Sequence, residues 1–432
     1  MKMRARHVFP VSLLAVSALV LGFTLVTIGC GSGSNSVPGS QLTPPSGSQP
    51  ASGSSGGGGA GSGGSGGGSG TSGGGSGSSG GTSGGGGTSG GTSGGASTAA
   101  LAYVGGTNVF YGIRVDSSSN VSAVSGSPYS LVGNNLSFAT AGNLLFVASA
   151  SGDFKSGSIT TYRADDNGAL TQLSTTALKS SGGADIAVDS TGKFLYGTAE
   201  AVAPGQSGSS PALVGFSIDQ NSGKIADLPG SPYFLDGGMS TAGKPVVTAN
   251  GAWVCLAMEL ARTNQGARCY TRHGDGSVDG KNFVAPAAST TGVNDLVASI
   301  DSTMLFFTNG EQNQVISTTI SNTGSVRTYP SGGSFSNGIA RSPVGHWVVV
   351  SNRDSDNLSV LEAGVGGLVP TGNTAKTGTN PNRVVFSRFG TYLFVTSASG
   401  TVVYSQDTST GVLTPLNLSN PAPGKDGGIA TM

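Results

Sequence analysis

The sequence predicts an all-β fold, a seven-bladed β-propeller with four-stranded blades, and three observations carry that prediction. A short, continuously apolar strand recurs seven times beyond residue 99, with about 40 to 60 residues from one occurrence to the next, the period of a four-stranded blade. Alternating apolar and polar segments follow several of these strands and end in Gly-, Asn- or Asp-bearing turns, as half-buried strands entering hairpins do. No window of useful length repeats at the helical period of about 3.6 residues.

Taken in chain order, the first element stands outside the fold. Residues 1–29 read as an export signal: Lys2, Arg4 and Arg6 precede a nearly all-apolar run from Val8 to Ile28. The run closes on Val26-Thr27-Ile28-Gly29-Cys30, which resembles the lipobox of bacterial lipoproteins, with Thr27 where leucine is usual. The resemblance implies cleavage before Cys30 and a diacylglycerol on its sulfur. Because Gly31 and not aspartate follows, it also implies sorting to the outer membrane. The alternative is an uncleaved anchor, since about 20 apolar residues span a bilayer. Either reading places the remainder of the chain in the cell envelope. Residues 30–98 are then a tether of Gly, Ser and Thr with almost no charge and no apolar period. Such a segment cannot bury enough surface to offset its ordering entropy and is expected to be disordered, with an r.m.s. reach of about 45 Å.

Residues 99–432 carry the blades. The recurring strand reads Leu101-Ala102-Tyr103-Val104, Leu144-Leu145-Phe146-Val147, Phe194-Leu195-Tyr196, Trp253-Val254-Cys255-Leu256, Leu305-Phe306-Phe307, Trp347-Val348-Val349-Val350 and Tyr392-Leu393-Phe394-Val395. Unbroken apolar character suits the second strand of a blade, which has neighbouring blades on both faces. Third strands such as Ile159-Thr160-Thr161-Tyr162 and Val402-Val403-Tyr404 alternate instead. The first repeat starts directly on its second strand. The segment Gly427-Gly428-Ile429-Ala430-Thr431-Met432 meanwhile matches the inner strands Asp185-Ile186-Ala187-Val188, Asn337-Gly338-Ile339-Ala340 and Val384-Val385-Phe386. That C-terminal strand is therefore expected to complete the first blade and close the ring.

Two Gly-Ser-Pro-Tyr elements, Gly126–Tyr129 and Gly230–Tyr233, resemble the lactonase-like (6-phosphogluconolactonase-like) seven-bladed propeller family. So do Phe216-Ser217-Ile218-Asp219 with Ser222-Gly223, and Val350-Ser351-Asn352-Arg353-Asp354-Ser355-Asp356, the last similar to surface-layer YVTN repeats. The resemblance spans about residues 100–432 and implies the fold, with an active site of charged side chains in the central cleft. If the protein is an enzyme, the resemblance implies a lactonase.

Composition and charge exclude more than they assign. Lysine and arginine number 21, aspartate and glutamate 21, and no basic cluster suits a nucleic-acid backbone. After Cys30 only Cys255 and Cys269 remain, on the second and third strands of blade 4. If they stand opposite each other a disulfide is within reach; two free core thiols are the other reading. His273 and His346 fall away from the expected mouth, and neither suggests a Ser-His-Asp arrangement. The Asp354-Ser355-Asp356-Asn357 run has alternate oxygen ligands but Leu358 where a calcium loop needs glycine, so it reads as a hydrated turn. No metal and no cofactor are expected.

By propeller topology the mouth is lined where inner strands begin and where loops project from second to third strands. Asp185, Lys244, Asp295 and Arg383 fall at the first kind of place, Glu200, Glu311 and Arg353 at the second. A lactonase needs a base for water and cations for the developing oxyanion. Glu311 or Glu200 would be the base, with Arg353 and Arg383 as the cationic clamp and Asp185, Asp295 and Lys244 as further ligand-binding groups. The leading expectation is an envelope-displayed, monomeric binding module that takes a small molecule, glycan or protein at this mouth. An exported lactone hydrolase and a structural surface protein are the alternatives.

Overall fold

The computed structural model describes residues 98–106, 108–131, 133–151, 156–179, 185–202, 209–235, 244–257, 265–286, 293–321, 325–417 and 427–432. The residues read above as a signal segment, Cys30 and a tether lie, up to residue 97, outside the described residues. Seven antiparallel sheets form seven blades. Blade 1 runs from the inside outward as Ile429–Thr431, Thr98–Gly105 and Val109–Asp116, with an edge broken into Val121–Ala123 and Tyr129–Ser130. Blade 2 is Asn134–Ala141, Leu144–Ala150, Gly157–Ala164 and Leu170–Ala177. Blade 3 is Ile186–Val188, Phe194–Val202 and Ser209–Ile218, its edge again broken into Ile225–Asp227 and Tyr233–Phe234. Blade 4 is Pro245–Val247, Trp253–Ala257, Gln265–Arg272 and Val278–Pro286, and blade 5 is Asp295–Ala298, Met304–Asn309, Gln314–Thr319 and Val326–Pro330. Blade 6 is Ser336–Arg341, Trp347–Asn352, Asn357–Gly364 and Gly367–Lys376, and blade 7 is Val384–Phe386, Tyr392–Ser397, Gly400–Gln406 and Leu413–Leu416.

Apolar layers between blades hold the ring together. In blade 6 the second strand sends Val348 and Val350 toward Met304 and Phe306 of blade 5. Its alternate residues Trp347 and Val349 go to Val384, Phe386 and Leu393 of blade 7. The same division recurs at every seam, and the core residues group into seven clusters, each bridging two adjacent blades. Each fully buried Leu, Val or Phe contributes roughly 1.5–3 kcal/mol, which is why these strands tolerate no polar alternation.

The inner strand Ile429–Thr431 pairs with Thr98–Gly105, Ala430 opposite Tyr103. It also ties the neighbouring blades: Thr431 Oγ1 donates to the Phe386 carbonyl of blade 7 at 2.7 Å, and Thr140 Oγ1 of blade 2 donates to the Thr431 carbonyl at 2.8 Å. In blade 4, Cys255 and Cys269 stand directly opposite in register and are joined by a disulfide. The two Gly-Ser-Pro-Tyr elements sit at the breaks in the edges of blades 1 and 3. There Ser127 Oγ accepts the Gly112 amide and Ser231 Oγ the Gly215 amide, each at 3.1 Å. The Asp354–Asn357 run is one turn of 3-10 helix, Arg353–Ser355, with Asp356 in the left-handed region at φ 52°.

Candidate functional site

Strand register places one residue of every blade's innermost segment at the same point relative to the second strand. These residues are Gly428, Ser137, Asp185, Lys244, Asp295, Gly338 and Arg383 in blades 1 to 7. They stand opposite Gly105, Ala148, Thr198, Ala257, Thr308, Ser351 and Thr396 of the second strands. Hydroxyls on those second strands fix several of them: Thr308 Oγ1 accepts the Asp295 amide at 3.1 Å, Ser351 Oγ the Gly338 amide at 2.9 Å and Thr396 Oγ1 the Arg383 amide at 3.1 Å. The ring positions also stitch neighbours together. Ser137 Oγ accepts the Ile186 amide of blade 3 at 3.0 Å, and Asp295 Oδ2 accepts the Ile339 amide of blade 6 at 3.2 Å.

The four charged members meet in the centre. Arg383 Nη2 donates to Asp185 Oδ2 at 2.8 Å, and its Nη1 lies 3.8 Å from Asp295 Oδ1. Lys244 Nζ lies 3.4 Å from the same Asp295 oxygen. The side chains differ in access: Asp295 is 2% exposed, whereas Asp185, Arg383 and Lys244 are 16, 25 and 29% exposed. Asp295 is thus a buried counter-charge, further occupied by the amides of Leu296 and Ile339. Asp185, Lys244 and Arg383 line a cavity of about 50 Å³ with Ser137, Gly428 and apolar neighbours including Phe138 and Val384. That volume holds one or two waters, so a larger ligand must rest on the mouth above it.

The other three predicted residues lie at the same end of the blades but outside this cluster. Glu311 is exposed in the turn between the second and third strands of blade 5. Arg353 donates from Nε to Asp354 at 2.8 Å and stacks its guanidinium 3.7 Å from the Phe335 ring centroid. Glu200 is half-buried on the extension of the blade 3 second strand, opposite Pro211. None of the three is among the described residues that line the central cavity. Sequence reasoning passed over Ser137, Gly338 and Gly428 because they carry no charge; the signal that finds them is their common offset from the second-strand repeat. His273 does have a carboxylate, Asp279 at 2.6 Å, but in the exposed outer hairpin of blade 4. His346 is exposed in the first hairpin of blade 6. Among the described residues no group of three His, Cys, Asp or Glu side chains is placed to hold a metal ion.

Four charged side chains, Asp185, Lys244, Asp295 and Arg383, thus gather at one end of the inner strands of a seven-bladed propeller. A family model described as a seven-bladed β-propeller lactonase matches residues 289–425. A periplasmic gluconolactonase of Pseudomonas aeruginosa superposes with a TM-score of 0.58 at 18% identity, over 77% of this chain and 98% of that one. Candidate 6-phosphogluconolactonases of Bacteroides uniformis and Bacteroides fragilis give TM-scores of 0.59 and 0.57, each at 15% identity and over 77% of this chain, covering 99 and 98% of theirs. No curated protein sequence matches. The chain is a seven-bladed β-propeller, and its residues 289–425 resemble the lactonase family of that fold.

Proposed function

We propose that this protein hydrolyses an uncharged lactone at the central mouth, with Asp185 as the base and Arg383 and Lys244 as the cationic groups. The convergence of these three part-exposed side chains over buried Asp295 carries the reading. In it, a water on the mouth gives its proton to the Asp185 carboxylate as its oxygen attacks the lactone carbonyl. The guanidinium and ammonium groups face the oxyanion that forms. Collapse breaks the ring C–O bond, the proton passes to the departing alkoxide, and a hydroxy acid leaves. Two aspartates balance one lysine and one arginine in this cluster, so no surplus positive charge awaits a phosphate. A neutral sugar or aliphatic lactone fits that balance better than a phosphorylated one.

The test is hydrolysis by the purified protein above the spontaneous rate across neutral and phosphorylated lactones. Asp185→Asn and Arg383→Ala should each lower kcat/KM by roughly a hundredfold or more, with Glu311→Gln unchanged. A second reading, a binding module at the same mouth, rests on the ion pairs that already occupy both cations and on the small cavity beneath. Absence of turnover on every lactone would favour it.

We infer a lipid anchor on Cys30 from the lipobox-like sequence. Cys30→Ala should abolish palmitate incorporation and release the protein from the membrane fraction; unchanged labelling would remove the anchor from the proposal.

A further inference from the structure

A second cavity, of about 430 Å³, opens between blades 5 and 6 at the opposite end of the inner strands. In blade 6 the inner strand runs from Gly338 in the ring to Arg341 at this cavity. Met304 and Phe306 wall it from blade 5, and Ile300 and Val365, 54 and 111% exposed, stand at its lip. Ordinary hairpins seldom present large apolar groups to water beside a cavity of this size, which falls in the range of small-molecule sites.

Arg341 gives the cavity its polarity. Among the described residues, its recorded polar partner is the Ser342 carbonyl, 2.8 Å from Nη1. A guanidinium has five N–H donors, so Arg341, which lines the cavity, has donors left for a ligand there. Two carboxylates also line the site, and neither forms a recorded ion pair with Arg341. Asp301 already accepts from Ser299 Oγ at 2.5 Å and from the Thr303 amide at 3.1 Å, and Glu362 is exposed. Desolvation pushes the Arg341 pKa down. Arg341 is half-buried, and a partly desolvated cation without a carboxylate partner is favoured by a ligand that supplies the counter-charge.

We infer that this cavity binds a small organic monocarboxylate with an apolar body, its carboxylate on Arg341 and its hydrocarbon on Met304, Phe306 and Val365. The shape of the groups decides the class: a planar guanidinium takes a carboxylate in two parallel hydrogen bonds, and the walls offer apolar contact.

Octanoate, with octanamide as its neutral counterpart, tests this by calorimetric titration of the full chain. The wild type should bind octanoate, and Arg341→Gln should weaken it roughly tenfold or more while leaving octanamide unchanged. Arg341→Lys should restore part of the loss. Gly364→Trp provides a variant independent of Arg341, because a Cβ on Gly364 meets nothing within 4 Å and the residue lies at the cavity. It should block both probes. No octanoate binding by the wild type, equal affinity in Arg341→Gln, or undiminished binding in Gly364→Trp would each overturn the assignment. Lactone turnover enters none of these readouts, so the two proposals stand or fall separately.

Discussion

Gly112 and Gly215 show how closely single residues are specified. A Cβ on Gly112 would lie 2.7 Å from the Val124 Cβ, and one on Gly215 would lie 2.9 Å from Leu228 Cδ1. Gly112→Ala should therefore destabilise the fold by about 1–3 kcal/mol through overpacking, measured as a lower denaturant midpoint at unchanged m-value. The outer hairpins repeat another single-residue device. The Oδ1 atoms of Asp116, Asp219 and Asp407 each accept backbone amides two to four residues on. The Ser409 hydroxyl and then the Ser409 amide hold the Asp407 carboxyl down at about 2. A depressed folded pKa adds stability that is fully present above the unfolded value, near 4, and is lost as pH falls through about 2. The stability gap between wild type and Asp407→Ala should accordingly be constant near neutrality and shrink between about pH 4 and pH 2. A gap that stays constant through that range would show that the hairpin does not depend on this carboxylate. The sequence marked Asp185, Lys244, Asp295 and Arg383 by topology alone, but not that Arg383 crosses to Asp185, 198 residues away in sequence. Cross-channel distances depend on the angle between blades, which no local pattern encodes. Glu311 and Arg353 were placed at the mouth by loop order; they lie in loops at that end of the blades but are not among the described residues lining the central cavity.

At the scale of the strand, apolar continuity was legible because each second strand is buried on both faces, as the seven occurrences are apart from the half-buried Phe194 and Trp253 that open two of them. Strand length was not. The edge of blade 6 runs ten residues, Gly367–Lys376, against four in blade 7. Exposed Pro370, Thr374 and Lys376 suit an edge that no further strand extends. Nor did the sequence show that Gly-Ser-Pro-Tyr breaks an edge strand in two, since the serine's partner is an amide of another strand. The disulfide ties the second strand of blade 4 to its third across a separation of 14 residues. Cys255→Ala/Cys269→Ala should lower stability by roughly 3 kcal/mol, read from the thermal midpoint, if the loop-closure account holds.

For the molecule as a whole, the ring depends on one strand of three residues. Removing residues 427–432 takes away the pairing with Thr98–Gly105 and the hydrogen bonds to blades 2 and 7. It also withdraws Ala430 from the layer between blades 1 and 2. The truncated protein should melt at a lower temperature and with a broader transition than the intact one; an unchanged melting curve would show that the ring closes without this strand. The same pairing joins Tyr103 to Ala430, and so sets a clock. Synthesis runs from the N-terminus at about 5–20 residues per second, so the Thr98–Gly105 strand waits many seconds for its inner neighbour. Through that interval blade 1 lacks its inner strand, and the layers it shares with blades 2 and 7 stay without Ala430 and Ile429. Completion of the native state is deferred until the far end of the chain arrives, however quickly the individual hairpins form.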